Sequence, residues 1–344
     1  MDPVSQAVVG AVTAQAALTG RLGGRRAFAC GAIGGLLPDL DVAIRSSADP
    51  LLAMEMHRHF THALALVPLG GAIAALPFLL RRRNRPDARA ILAACTLGYF
   101  SHAPLDIVTS YGTLWLWPFS RSRLELDWIS IVDPLFTIPL LLLALLAWAR
   151  SSARPAWLAL TFALAFIGLG GVLHHRAQAI QAELAASRGH TAERGRVMPT
   201  LGNMVVWRSV YVAEGELHAD AIRVLPFGPP AVVAGGRVPL VTALPPEAAA
   251  AGPAAPRLAR DFARFLWFAD GLVARDPADP TVLADMRYSL DTAGFAPLWG
   301  VRFHASARDV PVEWVDLVQH RERALVELWQ LVTGRSPHLR AWLL

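Results

Sequence analysis

Three short polar clusters interrupt an otherwise apolar N-terminal half: "PDLD" (38–41), "HRHFTH" (57–62) and "HAPLD" (102–106). They supply Asp39, Asp41, His57, His62, His102 and Asp106. Imidazole and carboxylate together suit a borderline divalent cation, zinc first, with manganese or iron as alternatives. His102 and Asp106 are four residues apart, so on a helix both side chains leave one face, and Pro104 between them is a bend-forming residue in that turn. Six such groups exceed what one tetrahedral ion takes, so one ion or an adjacent pair is expected. A pair would activate water as a nucleophile and clamp both oxygens of a phosphoester displacement.

Taken singly, each residue has a plain structural role: a His near a membrane surface anchors, and an Asp at a helix end caps. Together that account weakens. Ionisable groups at membrane depth cost about 2.5–3.5 kcal/mol each, and a shared cation would offset the cost for all six. Paired His and Asp also build proton relays in transporters, but a relay needs a polar route to the arginine-rich side, and the apolar stretches offer almost none.

Further residues could serve the same site. Arg58, between the histidines, could grip a phosphate bidentately or pair with a neighbouring carboxylate. Asp127 is a candidate for orienting a ligand imidazole. Asp133 precedes Pro134 at the start of an apolar run, where a capping role and a catalytic one fit equally. Trp115, Trp117 and Trp128 suit an interfacial aromatic belt.

The elements that carry these residues are read from hydropathy. Of the 344 residues 54% are hydrophobic and 17% charged, against roughly 25% charged in soluble proteins. Pro155–Leu173, Asp133–Ala149, Thr61–Leu80 and Ala88–Val108 each read as a membrane span. Val4–Gly20 and Ala27–Leu37 are small-residue-rich and read as helices packed within a bundle. The expected fold is mostly α: a polytopic transmembrane bundle of about six helices over 1–174, then a small α+β extramembrane domain over 175–344. No cleavable signal peptide is expected, since the N-terminus lacks a basic start.

The basic residues are all arginine, and the clusters "RLGGRR", "RRRNRPDAR" and "RSSAR" fall after alternate predicted helices. The positive-inside rule then puts them in the cytoplasm, with the histidine and aspartate clusters and the C-terminal domain outside. A net charge of +5 could suggest nucleic acid, but arginine in short loops between apolar runs looks like a membrane protein, and no direct nucleic-acid binding is expected. Cys30 and Cys95 lack zinc-type spacing and read as packing residues.

Beyond residue 200, "NMVVWRSVYV" (203–212) alternates as a half-buried strand should, and "TVLADMRYSL" (281–290) and "FAPLWGVRFHA" (295–305) look alike. Residues 231–256 read as a flexible connection around a short strand. Residues 257–275 and 315–334 have helical periodicity. Nothing in 175–344 looks like a nucleophile elbow or a phosphate loop.

The ordered set "MDPVSQAVVGA", "LLPDLDV", "HRHFTHALAL", "SHAPLDIVTSYGT" and "WPFSRSRLELDWISIVDPLFTIPLL" resembles a bacterial inner-membrane family described as metal-dependent, LexA-binding hydrolases. "PTLGNMVVWRSV" and "LADMRYSL" resemble that family's C-terminal signatures. The resemblance implies an inner-membrane protein whose Asp-x-Asp, His-containing and His-x-x-x-Asp motifs form a metal centre, here Asp39, Asp41, His57, His62, His102 and Asp106. The chain departs from the pattern at His59, where the family usually has Gly, and at the Ala-Pro of "HAPLD". The reading is a membrane metal-dependent hydrolase of a phosphoester or lipid-derived substrate, with a protein partner compatible. A non-enzymatic membrane module holding a structural metal is the alternative.

Overall fold

The computed structural model describes residues 1–249, 255–304, 312–318 and 321–342. Two compact units emerge, and the chain interleaves them: one comprises Met1–Ala43, Met56–Val172 and Leu201–Asn203, the other Ile44–Glu55, Leu173–Thr200 and Met204–Leu344.

The first unit is helical. Helix α1 (Pro3–Leu22) begins at Asp2, whose carboxylate accepts from the Ser5 N–H at 2.9 Å, and stops at Gly23 with φ 74°. Next come α2 (Gly24–Leu36) and a 3-10 stretch (Leu37–Ala43), followed by a short α3 (Leu52–Met56) that belongs to the second unit up to Glu55. After 3-10 turns at Phe60–His62 and Leu64–Leu66 the chain forms α4 (Val67–Leu79), α5 (Ala88–Ile107), α6 (Pro134–Arg150) and α7 (Ala153–Ser187), the last of which belongs to the second unit from Leu173 on. Glycine lets three of these helices meet backbone to backbone. A Cβ on Gly98 of α5 would lie 2.2 Å from the Gly31 carbonyl oxygen of α2, and one on Gly31 would lie 2.2 Å from that of Gly10 on α1. Around this contact one apolar core gathers Ala27, Cys30, Ile91 and Cys95, and another gathers Val12, Ile129, Phe136 and Leu140. Both cysteines are buried and free.

The second unit carries two antiparallel sheets. One runs in the order β1 (Arg194–Pro199), β2 (Val206–Ala213), β3 (Glu216–Arg223), β4 (Ala231–Pro239) and β9 (Arg340–Ala341). The other is β5 (Val273–Arg275), β6 (Val282–Asp285), β7 (Trp299–Phe303) and β8 (Val312–Asp316). Helices α8 (Pro246–Ala249), α9 (Ala255–Phe268) and α10 (Arg321–Val332) complete it. Strand β2 is buried throughout rather than on one face. Its Arg208 is tolerated inside because its guanidinium donates to the carbonyls of Met286, Asp291, Thr292 and Gly294. The helix read over 257–275 ends at Phe268, and its last residues form β5 after Asp270 and Gly271 turn the chain with positive φ. Parts of the segments read over 231–256, 295–305 and 315–334 lie outside the described residues.

The expected polytopic bundle of about six spanning helices is not what forms. Among the described residues one helix, α7, is long and apolar enough to cross a membrane; a second candidate arises only if Leu52–His62 and Leu64–Leu79, bent by 58°, are joined. Helix α4 has 13 residues and α6 has 17, which at 1.5 Å per residue reach about 20 and 25 Å, short of a roughly 30 Å hydrocarbon core. Helix α5 has the length but carries Arg89, His102 and Asp106. The orientation inferred from alternating arginine clusters required six spans, and it goes with them.

Candidate metal centre

Three pieces of backbone bring the clusters together. The 3-10 stretch after α2 presents Asp39 and Asp41, the 3-10 turn Phe60–His62 presents His62, and α5 presents His102 and Asp106. Helix α5 continues through Pro104 to Ile107, so the i, i+4 pairing survives the proline, with His102 Nε2 3.3 Å from Asp106 Oδ2.

Four ligand atoms converge. His62 Nε2 lies 2.9 Å from His102 Nε2 and 3.1 Å from Asp106 Oδ2. Asp39 Oδ1 lies 3.3 Å from His102 Nε2 and 3.6 Å from His62 Nε2. Metal–ligand bonds near 2.0–2.1 Å in a tetrahedron put neighbouring ligands about 3.3 Å apart, so these separations suit one ion. His62, His102 and Asp106 are buried, whereas the Asp39 side chain keeps 19% exposure and marks the side open to solvent.

The protonation pattern points the same way. His102 Nδ1 sits 2.6 Å from the Gly35 carbonyl, which can only accept, so Nδ1 carries the proton and Nε2 a lone pair. The Thr61 hydroxyl donates to Asp41 Oδ2 at 2.9 Å and therefore accepts from His62 Nδ1 at 2.9 Å. The hydrogen bonds of both rings thus go through Nδ1, which leaves the two Nε2 atoms turned to each other as candidate ligand atoms. Two imidazole nitrogens 2.9 Å apart need a positive centre between them, which a proton or a bound metal ion supplies. Asp106 Oδ2 accepts no hydrogen bond among the described residues although it is buried, which is costly for a carboxylate unless a cation satisfies it. The donor set fits a divalent ion.

The surrounding groups fix the ligands. Asp106 Oδ1 pairs with the Met1 amino group, accepts from Gln6 Nε2 at 2.9 Å and meets Arg58 at 3.1 Å, which leaves Oδ2 turned to the imidazoles. Arg58 adopts φ 61°, a left-handed conformation that aims its backbone N–H at Asp41 Oδ2, 2.9 Å away. Its buried guanidinium also donates to Thr109 Oγ1 at 3.0 Å and packs on Tyr111. Asp41 Oδ1 accepts a hydrogen bond from His57 Nδ1 at 2.8 Å. Burial would push the pKa of Asp39 and Asp41 up, but their imidazole neighbours outweigh it, His102 and His62 for Asp39 and His57 and His62 for Asp41, and hold both below the usual carboxylate range. Both are anionic at neutral pH, as ligation and orientation require.

Every metal-site residue expected from sequence lies in this region. Asp39, His62, His102 and Asp106 form one group with ligand atoms within 4.8 Å, and Asp39, Asp41 and His57 form a second that shares Asp39. Asp127 and Asp133 belong to neither group. Asp127 is buried with φ 58°, and Asp133 caps α6, accepting from the Leu135 N–H at 3.0 Å. His59 packs against Trp117 and is likewise outside both groups. Gln6, Thr61 and Gly35 were not picked out from the sequence. Only Gln6 left a trace there, as a polar residue in an apolar N-terminal helix.

A His/Asp cluster of metal-ligand geometry, three of its four members buried, defines a protein with a candidate metal centre. Residues 1–177, just over half of the chain, match the family model described as YdjM inner membrane protein, and the chain belongs to that family. This is the family that the motif resemblance indicated. No curated protein and no solved structure shows a significant match to the chain.

Proposed function

We propose that this inner-membrane protein is a metal-dependent hydrolase of a phosphoester or lipid-derived substrate. The observation that supports it most directly is the convergence of Asp39, His62, His102 and Asp106, with the two imidazole Nε2 atoms facing each other. A divalent ion held there, zinc by its donor set, supplies Lewis acidity and lowers the pKa of water toward neutrality. The chain's own groups do the rest. The Gly35 carbonyl and the Thr61 hydroxyl, itself held by Asp41, take the Nδ1–H bonds of the two imidazoles, and Arg58 holds Asp106 in orientation while balancing the negative charge of the ligand set. Substrate would approach from the Asp39 side, where His57 and Tyr111 stand edge to face at 5.1 Å. The second group, Asp39 with Asp41 and His57, offers a place for a second ion. Burial of three of the four inner ligands also favours a structural metal, because structural sites are closed by protein.

Elemental analysis of the purified full-length protein, with Asp106→Asn beside it, tests the metal. The expected result is stoichiometric zinc, manganese or iron in the wild type and loss in the variant. A folded wild type with only traces of these metals, unchanged by the substitution, would overturn the proposal. Hydrolysis of bis(p-nitrophenyl) phosphate, abolished by chelator and restored by the ion, separates the two readings. Retained metal without hydrolysis of this or a lipid phosphodiester selects the structural one.

A further inference from the structure

We infer that the loop 225–230, with Phe227 at its tip, is a membrane anchor that seats an aromatic ring in the bilayer interface beside α7. Phe227 is 89% exposed, an unfavourable place in water for a large apolar ring. The loop "LPFGPP" is held in position. The Arg176 guanidinium donates to the carbonyls of Leu225, Pro226 and Gly228, the last two at 3.0 and 3.2 Å. Gly228, at φ 96°, makes the turn after Phe227, and Pro226, Pro229 and Pro230 restrict the chain around it.

The position of Arg176 gives the occupant. The apolar run of α7 ends at Leu173 and is followed by His174, His175 and Arg176. Three residues of helix rise about 4.5 Å, so Arg176 lies just past the hydrocarbon, at headgroup depth, if α7 crosses the bilayer. The other end of the loop is tied further along the same helix. The Pro230 carbonyl accepts from the Trp342 N–H at 2.9 Å, and the Trp342 indole donates to Glu183 at 3.0 Å. Glu183 is seven residues beyond Arg176, about 10 Å along the axis. Of the two ends of the loop, the 225–228 end that carries Phe227 is therefore tied nearer the apolar run of α7. Aromatic rings are favoured at that depth, and a preorganised loop loses little entropy on insertion.

The inference rests on α7 as a membrane span, and the test keeps the two apart. Full-length protein in phosphatidylcholine–phosphatidylglycerol vesicles is labelled with an environment-sensitive fluorophore at Phe227→Cys, at Leu164→Cys in the apolar run of α7, and at Glu214→Cys in the exposed β2–β3 turn. Both native cysteines are buried. Nitroxide lipid is expected to quench the labels at 227 and 164 several-fold more than the label at 214, and aqueous iodide to do the reverse. Adding Arg176→Ala should move the 227 signal toward that of 214. A 227 label as iodide-accessible as 214, with 164 still lipid-quenched, overturns the anchor and leaves the span standing. Loss of lipid quenching at 164 removes the span and the anchor with it, and an unchanged 227 signal after Arg176→Ala overturns the role of Arg176.

Discussion

Asp41 shows how residues of one type in one motif divide their work. Both of its oxygens are engaged, one by His57 and the other by Thr61, the Arg58 N–H and the ring of His62. It therefore orients two imidazoles, whereas Asp39 directs Oδ1 at the facing Nε2 atoms. Outer carboxylates of this kind contribute about 10–100-fold to metal affinity. Asp41→Asn is expected to weaken zinc binding by about that factor in a chelator competition, while His102→Ala abolishes it. An unchanged affinity in Asp41→Asn would deny the orienting role, and complete loss would make Asp41 a ligand. The six His and Asp residues were legible in the sequence because few chemistries need both groups in apolar surroundings. Their division into ligands and orienters was not, since "PDLD" offers two identical carboxylates and only the backbone decides where each points. The Gly35 carbonyl, which sets the His102 tautomer, left no trace in residue type at all.

Among the elements, α5 carries the most weight, since His102 and Asp106 lie one turn apart on it and its position against α2 sets their distance from Asp39. That position depends on Gly98. A Cβ there would meet the Gly31 carbonyl oxygen at 2.2 Å, a backbone atom that cannot rotate aside. Gly98→Ala must push the helices apart, and overpacking of this kind costs about 1–3 kcal/mol. The expected outcome is a lower Tm together with reduced metal content, because the shifted helix carries two ligands. A wild-type Tm and full metal content in Gly98→Ala would show that the helices separate without consequence for the site. The helices were legible from their apolar runs, and β2 was legible from "NMVVWRSVYV". Their ends and burial were less so. The alternation of β2 suggested one wet face, yet Arg208 goes inside because loop carbonyls distant in sequence satisfy it, and local pattern holds no record of such partners.

At the scale of the whole molecule, sequence hydropathy counted spans too generously, for a physical reason. It measures how apolar a stretch is, whereas crossing a bilayer also requires an unbroken helix of sufficient length. The stretch Thr61–Leu80 breaks into two 3-10 turns and a 13-residue helix, and the apolar content of α1 and α2 goes largely into packing helix on helix. What remains is α7, with Trp157, Leu158, Leu164 and Val172 all exposed. Leu164 is 71% exposed in the middle of the apolar run, so an arginine there would clash with no core residue and would meet only the surrounding medium. In hydrocarbon it costs about 2.5–3.5 kcal/mol even by insertion scales, a large penalty for a run that also contains Gly168, Gly170 and Gly171. Leu164→Arg is therefore expected to move the protein from the pellet toward the supernatant on alkaline carbonate extraction of membranes, with Leu164→Ala remaining in the pellet. In water the same arginine costs nothing, so equal pelleting of both variants would mean that α7 lies outside the bilayer and that another surface attaches the chain to the membrane.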